Sequence, residues 1–162
     1  MHRAAPALLL ALVAACAGME DVHRAVAPGM SSAEVVSRIG KPTTAGKLVD
    51  GGEYWDYSRQ PFYTDRVAFG PDDRVREVRN LLTEENFENL RPGMTLPEVV
   101  AIVGPAYIFN QYANGTAVWT YRYYDGVYKL MHATFDQSGH LLRYQTEWNP
   151  DVYSRGGGRK GK

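Results

Sequence analysis

The chain has 162 residues with 18 basic and 18 acidic side chains, a formal net charge of zero and a single cysteine. Balanced charge argues against strong nucleic-acid binding and against a polyacidic partner, and one cysteine excludes an internal disulfide framework. Eleven tyrosines, five phenylalanines and three tryptophans are more than a helical protein of this size uses, and they point to sheet with aromatic faces for packing or binding.

The first element reads as a secretory signal: basic His2 and Arg3, an apolar run from Ala4 to Ala14, then small residues. A run of about 11 apolar residues is too short to cross a roughly 30 Å hydrocarbon core as a helix, so residues 1–15 read as a removed leader. Val13-Ala14-Ala15-Cys16 resembles the bacterial lipobox, in which the cysteine receives diacylglycerol and becomes the new N-terminus. Acylation also accounts for a lone thiol in an exported chain. The other reading is an ordinary secreted protein cut near Ala15 or Ala17, with Cys16 a spectator. Acyl chains at about 0.8 kcal/mol per buried methylene would hold the mature chain on a bilayer without spanning it. Ala17 follows where inner-membrane lipoproteins of enteric bacteria typically carry Asp, which favours the periplasmic face of the outer membrane. Loss of Arg3 leaves 17 basic against 18 acidic residues, a net charge of −1.

The mature sequence repeats itself at an offset of 64 residues. Pro28-Gly29-Met30 falls on Pro92-Gly93-Met94, Glu34-Val35-Val36 on Glu98-Val99-Val100, Gly40 on Gly104, Gly51 on Gly115, Trp55 on Trp119 and Tyr57 on Tyr121. Beyond the second aromatic the register slips by two, so Phe69 corresponds to Phe135, as hairpin loops of different length would require. A tandem duplication is expected, spanning 16–81 and 82–153.

Each copy is read in chain order. Glu20 to Val26, and more clearly Thr83 to Leu90, suggest a short helix. Ser31-Ser32-Ala33-Glu34 and Thr95-Leu96-Pro97-Glu98 are capping boxes that open a second helix, with proline tolerated in its first turn. The apolar positions Val35, Val36 and Ile39, and likewise Val99, Val100, Ile102 and Val103, share one side. Gly40 and Gly104, followed by Pro42 and Pro105, end these helices. The period then changes from 3.6 to 2. Asp50-Gly51 and Asn114-Gly115 are hairpin turn signals. Strands are expected at Tyr54 to Tyr57 and Val118 to Tyr123, at Arg66 to Phe69 and Val127 to Phe135, and at Val75 to Leu81 and Leu141 to Trp148. The expected fold class is α+β, with two tandem ααβββ units, each two short helices packed on a three- or four-stranded antiparallel sheet. The tail 154–162 carries Arg155, Arg159, Lys160 and Lys162 among glycines and is expected to be a disordered basic end, with weak adhesion to anionic headgroups as a second possibility.

Gly93-Met94-Thr95, Val99, Gly104-Pro105, Trp119 with Tyr121, and Phe135 before Gly139 resemble the SmpA/OmlA family of outer-membrane lipoproteins. The copy-one counterparts are Gly29-Met30-Ser31, Val35, Gly40 with Pro42, Trp55 with Tyr57, and Phe69. The resemblance implies an outer-membrane lipoprotein that binds protein partners in β-barrel assembly or envelope integrity, with the β-barrel assembly machinery as partner. The family's assembly subunit resembles one copy, and duplicated units of this kind also occur in a secreted β-lactamase inhibitor. The alternative is therefore a periplasmic inhibitor or sensor module that binds a soluble enzyme.

No catalytic constellation is legible. His23, His132 and His140 lack the spacing and neighbours of a zinc or nucleophile site, Asp72-Asp73 reads as a turn, and Glu84-Glu85 as an acidic first helical turn. An enzyme, a metal and a cofactor are not expected. Trp55 and Trp119 are expected in the core beneath the helices. Tyr54, Tyr57, Tyr121, Tyr123 and Tyr124 alternate across strands, so some must face away from the helices, where they would pack the two copies together, the favoured use, or present an amphipathic surface to a partner. Tyr121, Tyr123 and Tyr124 are the candidate partner-binding residues, and Cys16 the lipid attachment site.

Overall fold

The computed structural model describes residues 21–59 and 62–153; the leader, Cys16 and the basic tail lie outside them. The fold is α+β. Helices α1 (Val22–Ala25) and α2 (Ser32–Ile39) precede strands β1 (Thr44–Lys47), β2 (Glu53–Arg59), β3 (Tyr63–Phe69) and β4 (Val75–Asn80). Helices α3 (Glu84–Phe87) and α4 (Leu96–Val103) then precede β5 (Ile108–Gln111), β6 (Ala117–Asp125), β7 (Val127–Phe135) and β8 (Leu141–Trp148), followed by a short α5 (Pro150–Tyr153). The strands form two antiparallel four-stranded sheets, ordered β1-β2-β3-β4 and β5-β6-β7-β8.

Each sheet thus has one more strand than the minimal expectation. β1 and β5 are the short segments before the Asp-Gly and Asn-Gly turns, and the turn chemistry makes them strands. Asp50 Oδ1 accepts from the Gly52 N–H at 3.0 Å, Gly51 adopts φ 85°, and the Leu48 N–H donates to the Gly52 carbonyl at 2.9 Å. That closes the hairpin and pairs Lys47 with Glu53. Helix α5, not anticipated, is started by the Asn149 side chain, which accepts from the Asp151 N–H at 3.1 Å, with Pro150 in its first turn.

Both capping boxes form. Glu34 accepts from the Ser31 N–H at 2.8 Å, and Glu98 from the Thr95 N–H at 2.7 Å. These bonds hold both carboxyls below the ordinary glutamate value of 4.5, the backbone bond being the largest cause. The stabilisation is therefore complete above that value and is lost as pH falls through the lowered folded value. The Glu34→Gln, Glu98→Gln double variant is expected to flatten the acid limb of melting temperature against pH below about 4.5, read by calorimetry. Asp50, Glu53 and Asp136 are also held low, so the limb shrinks without disappearing.

The helix-facing side of each sheet carries a core. In the first half Val22, Ala25, Val26, Val35, Tyr57, Val67, Phe69 and Val75 are buried together; in the second, Leu82, Phe87, Leu90, Val99, Val103, Tyr121, Tyr123, Met131, Ala133, Phe135 and Leu141. Trp55 and Trp119 pack at the margins of these clusters, partly buried, against Phe69 and Phe135 at ring-centroid distances of 4.7 and 5.6 Å. Equivalent tyrosines tie each sheet to the end of its helix: Tyr57 donates to the Gly40 carbonyl at 3.1 Å and Tyr121 to that of Gly104 at 3.2 Å.

The opposite face of the first sheet is also buried, but with polar groups. Arg66 donates to both carboxylate oxygens of Asp56 at 2.7 and 2.8 Å, lies 4.0 Å from the Tyr54 ring centroid, and donates to the Ala101 carbonyl at 2.5 Å. Ala101 belongs to α4, so this guanidinium joins the two halves. Two glycines permit the approach. A Cβ on Gly46 would lie 2.5 Å from the Tyr54 ring, and one on Gly104, at φ +75°, would lie 2.9 Å from Thr64 Cγ2. Gly46→Val is expected to displace Tyr54 and lower the melting temperature by several degrees, a shift equivalent to roughly 1–3 kcal/mol for overpacking.

Candidate functional site

Strand β6 runs Ala-Val-Trp-Thr-Tyr-Arg-Tyr-Tyr-Asp, and alternation decides where each aromatic points. Tyr121 and Tyr123 point toward the helices and are buried, at 1% and 0% exposure. Tyr123 donates to Glu84 at 3.0 Å and meets Phe87 edge-on at 4.9 Å, while Lys129 binds Glu84 at 2.6 Å and Asp125 at 3.1 Å. Burial pushes the Tyr123 hydroxyl up to about 12, aided by Glu84, and burial alone raises Tyr121 further. Lys129 is raised by its bonds to Glu84 and Asp125. The expectation that Tyr121 and Tyr123 meet a partner is therefore corrected: both are spent on the core. Tyr124, next along the strand, faces the other way and is 45% exposed. Cys16 lies outside the described residues.

The apolar surface lies elsewhere, and unevenly. Among the described residues, Val49 and Tyr63 are the exposed large apolar side chains of the first half, whereas Tyr107, Phe109, Tyr112, Tyr124, Leu142, Trp148 and Val152 are exposed in the second. Phe109 sits on the edge strand β5, where it meets Trp119 edge-on at 5.9 Å, and Tyr112 closes the same strand. The equivalent edge of the first sheet, β1, reads Thr-Ala-Gly-Lys. A lysine-bearing edge of small residues resists pairing, while an aromatic edge with open backbone groups invites it. β5 was not singled out from the sequence, because Ile-Phe-Asn-Gln is too short to show a period.

Polar clusters fill the remaining positions. His23 contacts buried Asp65 at 3.1 Å, and Arg59 also binds Asp65. Across β6, β7 and β8, Thr120 Oγ1 meets His132 Nδ1 at 2.8 Å and His132 Nε2 meets Glu147 at 3.1 Å. His140 lies 3.7 Å from Asp136. Each described histidine thus has a carboxylate partner, supplied by packing of α1 on β3 for His23, by strand pairing for His132 and by a turn for His140. Among the described residues no group of three or more His, Cys, Asp and Glu side chains is placed to hold a metal ion. No described helix is long and apolar enough to cross a membrane.

No known protein family matches the chain, and no curated protein matches it. A solved extracellular protein containing an SCP domain, from Bacillus anthracis str. Ames, is similar over 85% of this chain at 11% identity and a TM-score of 0.32. The chain covers 48% of that protein's length.

Proposed function

We propose that the protein is a non-catalytic lipoprotein of the outer membrane, held at the periplasmic face by an acylated Cys16. It binds protein partners in β-barrel assembly or envelope integrity. We read its two halves as SmpA/OmlA-like repeats in which the expected ααβββ unit carries a further edge strand. The anchor rests on the Val13-Ala14-Ala15-Cys16 lipobox, and the family on the paired motifs around Gly29-Met30-Ser31 and Gly93-Met94-Thr95. The observation that carries the binding role is the concentration of exposed apolar side chains in the second half, with Phe109 and Tyr112 on the open edge of its sheet. An extended segment of a partner would add to β5, its backbone satisfying the edge and its side chains covering Phe109.

Pull-down from detergent-solubilised membranes tests the role. The parent chain is expected to retain β-barrel assembly components, and a Phe109→Ser, Tyr112→Ser variant to lose them while melting like the parent. Retention of a soluble periplasmic enzyme in their place would favour the inhibitor reading. The anchor has its own test: Cys16→Ser is expected to abolish acylation, detected as loss of the acyl mass. Parent protein already soluble in the periplasmic fraction, with no acyl mass, would refute the anchor.

A further inference from the structure

The two sheets end on the edge strands β1, β4, β5 and β8, and all but β5 carry charge. β1 ends on Lys47, β4 reads Val-Arg-Glu-Val-Arg-Asn and β8 holds Arg143 and Glu147, whereas β5 reads Ile-Phe-Asn-Gln. The sequence has no charged side chain anywhere from Val99 to Tyr121. Among the described residues β5 is paired on one side, with β6. The Tyr112 N–H donates to the Thr116 carbonyl at 2.9 Å, which sets the phase of that ladder. Ile108 and Asn110 turn their backbone groups to Thr120 and Val118, so the N–H and C=O of Phe109 and of Gln111 point outward from the edge. Phe109 is 57% exposed, and Asn110 and Gln111 are exposed beside it.

We propose that β5 pairs antiparallel with β5 of a second copy, about a twofold axis at Asn110, so that two sheets join into one. Open N–H and C=O groups call for another strand rather than for an apolar ligand or a lipid surface. The register follows from the phase of the ladder. With Asn110 opposite Asn110 of the second copy, Phe109 of each lies opposite Gln111 of the other, and every outward N–H meets an outward C=O with none left over. The Asn110 pair is of the close kind, with Cα atoms about 4.5 Å apart, so the two amides reach one another on the outer face. On the helix side each Phe109 ring covers the stem of the opposite Gln111. Charge selects a second copy as the occupant. A twofold pair sets each edge against itself, so charges on an edge meet their own kind and oppose pairing, and β5 has none. Residues 21–153 hold 17 acidic against 13 basic side chains, so two copies carry like net charge and approach with least repulsion along this uncharged stretch. The inference rests on the reading of β5 as an open pairing edge and adds its regulation: the groups that would take a partner's strand stay occupied until that strand displaces the second copy.

The test uses the chain from residue 16 onward carrying Cys16→Ser, which retains every described residue and cannot dimerise through a disulfide. In sedimentation equilibrium its mass is expected to rise with concentration from monomer toward dimer, with dimer predominating by about 1 mM. Asn110→Asp and Asn110→Lys each place like charges opposite one another at the axis, so either variant alone is expected to stay monomeric. Their melting temperatures, measured where the parent is also monomeric, are expected to match the parent's. Mixed in equal amounts the two variants are expected to associate again, because carboxylate then faces ammonium, and that recovery requires position 110 to meet itself. Parent protein that stays monomeric to about 1 mM, single variants that dimerise like the parent, or a mixture that stays monomeric would each overturn the proposal. Pull-down decides the partner reading separately. A monomeric parent that still retains β-barrel assembly components removes self-pairing alone, and a dimeric parent that retains none removes the partner reading alone.

Discussion

Arg66→Met is expected to cost about 3–5 kcal/mol in equilibrium unfolding, because it strands the Asp56 carboxylate where no water can replace the guanidinium. Asp56 is 0% exposed and both its oxygens are bonded to Arg66, which is itself 5% exposed. The same substitution removes the bond to the Ala101 carbonyl, so the contact between the first sheet and α4 is weakened as well. Asp56→Leu alone is expected to be comparably damaging, since it leaves the guanidinium with one buried partner. The double variant Asp56→Leu, Arg66→Met is expected to recover most of the loss, because an apolar pair of similar volume has no desolvation cost to offset. Denaturant melts of the three variants form a double-mutant cycle. Additive losses would mean that the two charges are not a coupled pair.

Phe135→Ala is expected to destabilise the fold by about 3–5 kcal/mol through the cavity it leaves. The ring is 1% exposed, packs on Trp119 at 5.6 Å, and sits in the cluster with Tyr121, Met131 and Leu141. Its counterpart Phe69 is equally buried and closer to its tryptophan, at 4.7 Å, so Phe69→Ala is expected to cost a similar amount. Because Arg66 spans the halves, both variants are expected to lower one cooperative transition; two separated transitions would show that each half unfolds alone. Trp119→Phe provides the contrast. The buried indole Nε1 has no hydrogen-bond partner, so exchanging it for an apolar ring removes an unsatisfied donor and is expected to cost under about 1.5 kcal/mol. A loss as large as that of Phe135→Ala would mean that the indole nitrogen is bonded in solution.

Much of the local structure was legible because it depends on neighbours in the chain. The capping boxes at Ser31 and Thr95 involve residues three apart, and the glycine ends at Gly40 and Gly104 require positive φ, at 82° and 75°. The change of period after Pro42 and Pro105 marks where helix gives way to strand. Tyr121, Tyr123 and Tyr124 were harder. Alternation says that neighbours face opposite ways, but three tyrosines in four positions do not say which face is covered. The core took Tyr121 and Tyr123 because α3, with Phe87 and Glu84, lies over that side.

By itself, then, the sequence determined the α+β class, the doubled set of motifs, and the positions of the caps, turns and most strands, all properties of residues within a few positions of one another. Only the tertiary structure decided that Asp56 and Arg66 are buried, that Ala101 reaches across to them, and that His132 joins Thr120 to Glu147. The physical reason is that a short-range bond is specified by local conformation. The burial of a polar pair depends instead on which distant surface covers it, and that is chosen by the packing energy of the whole chain rather than by any local pattern of residues.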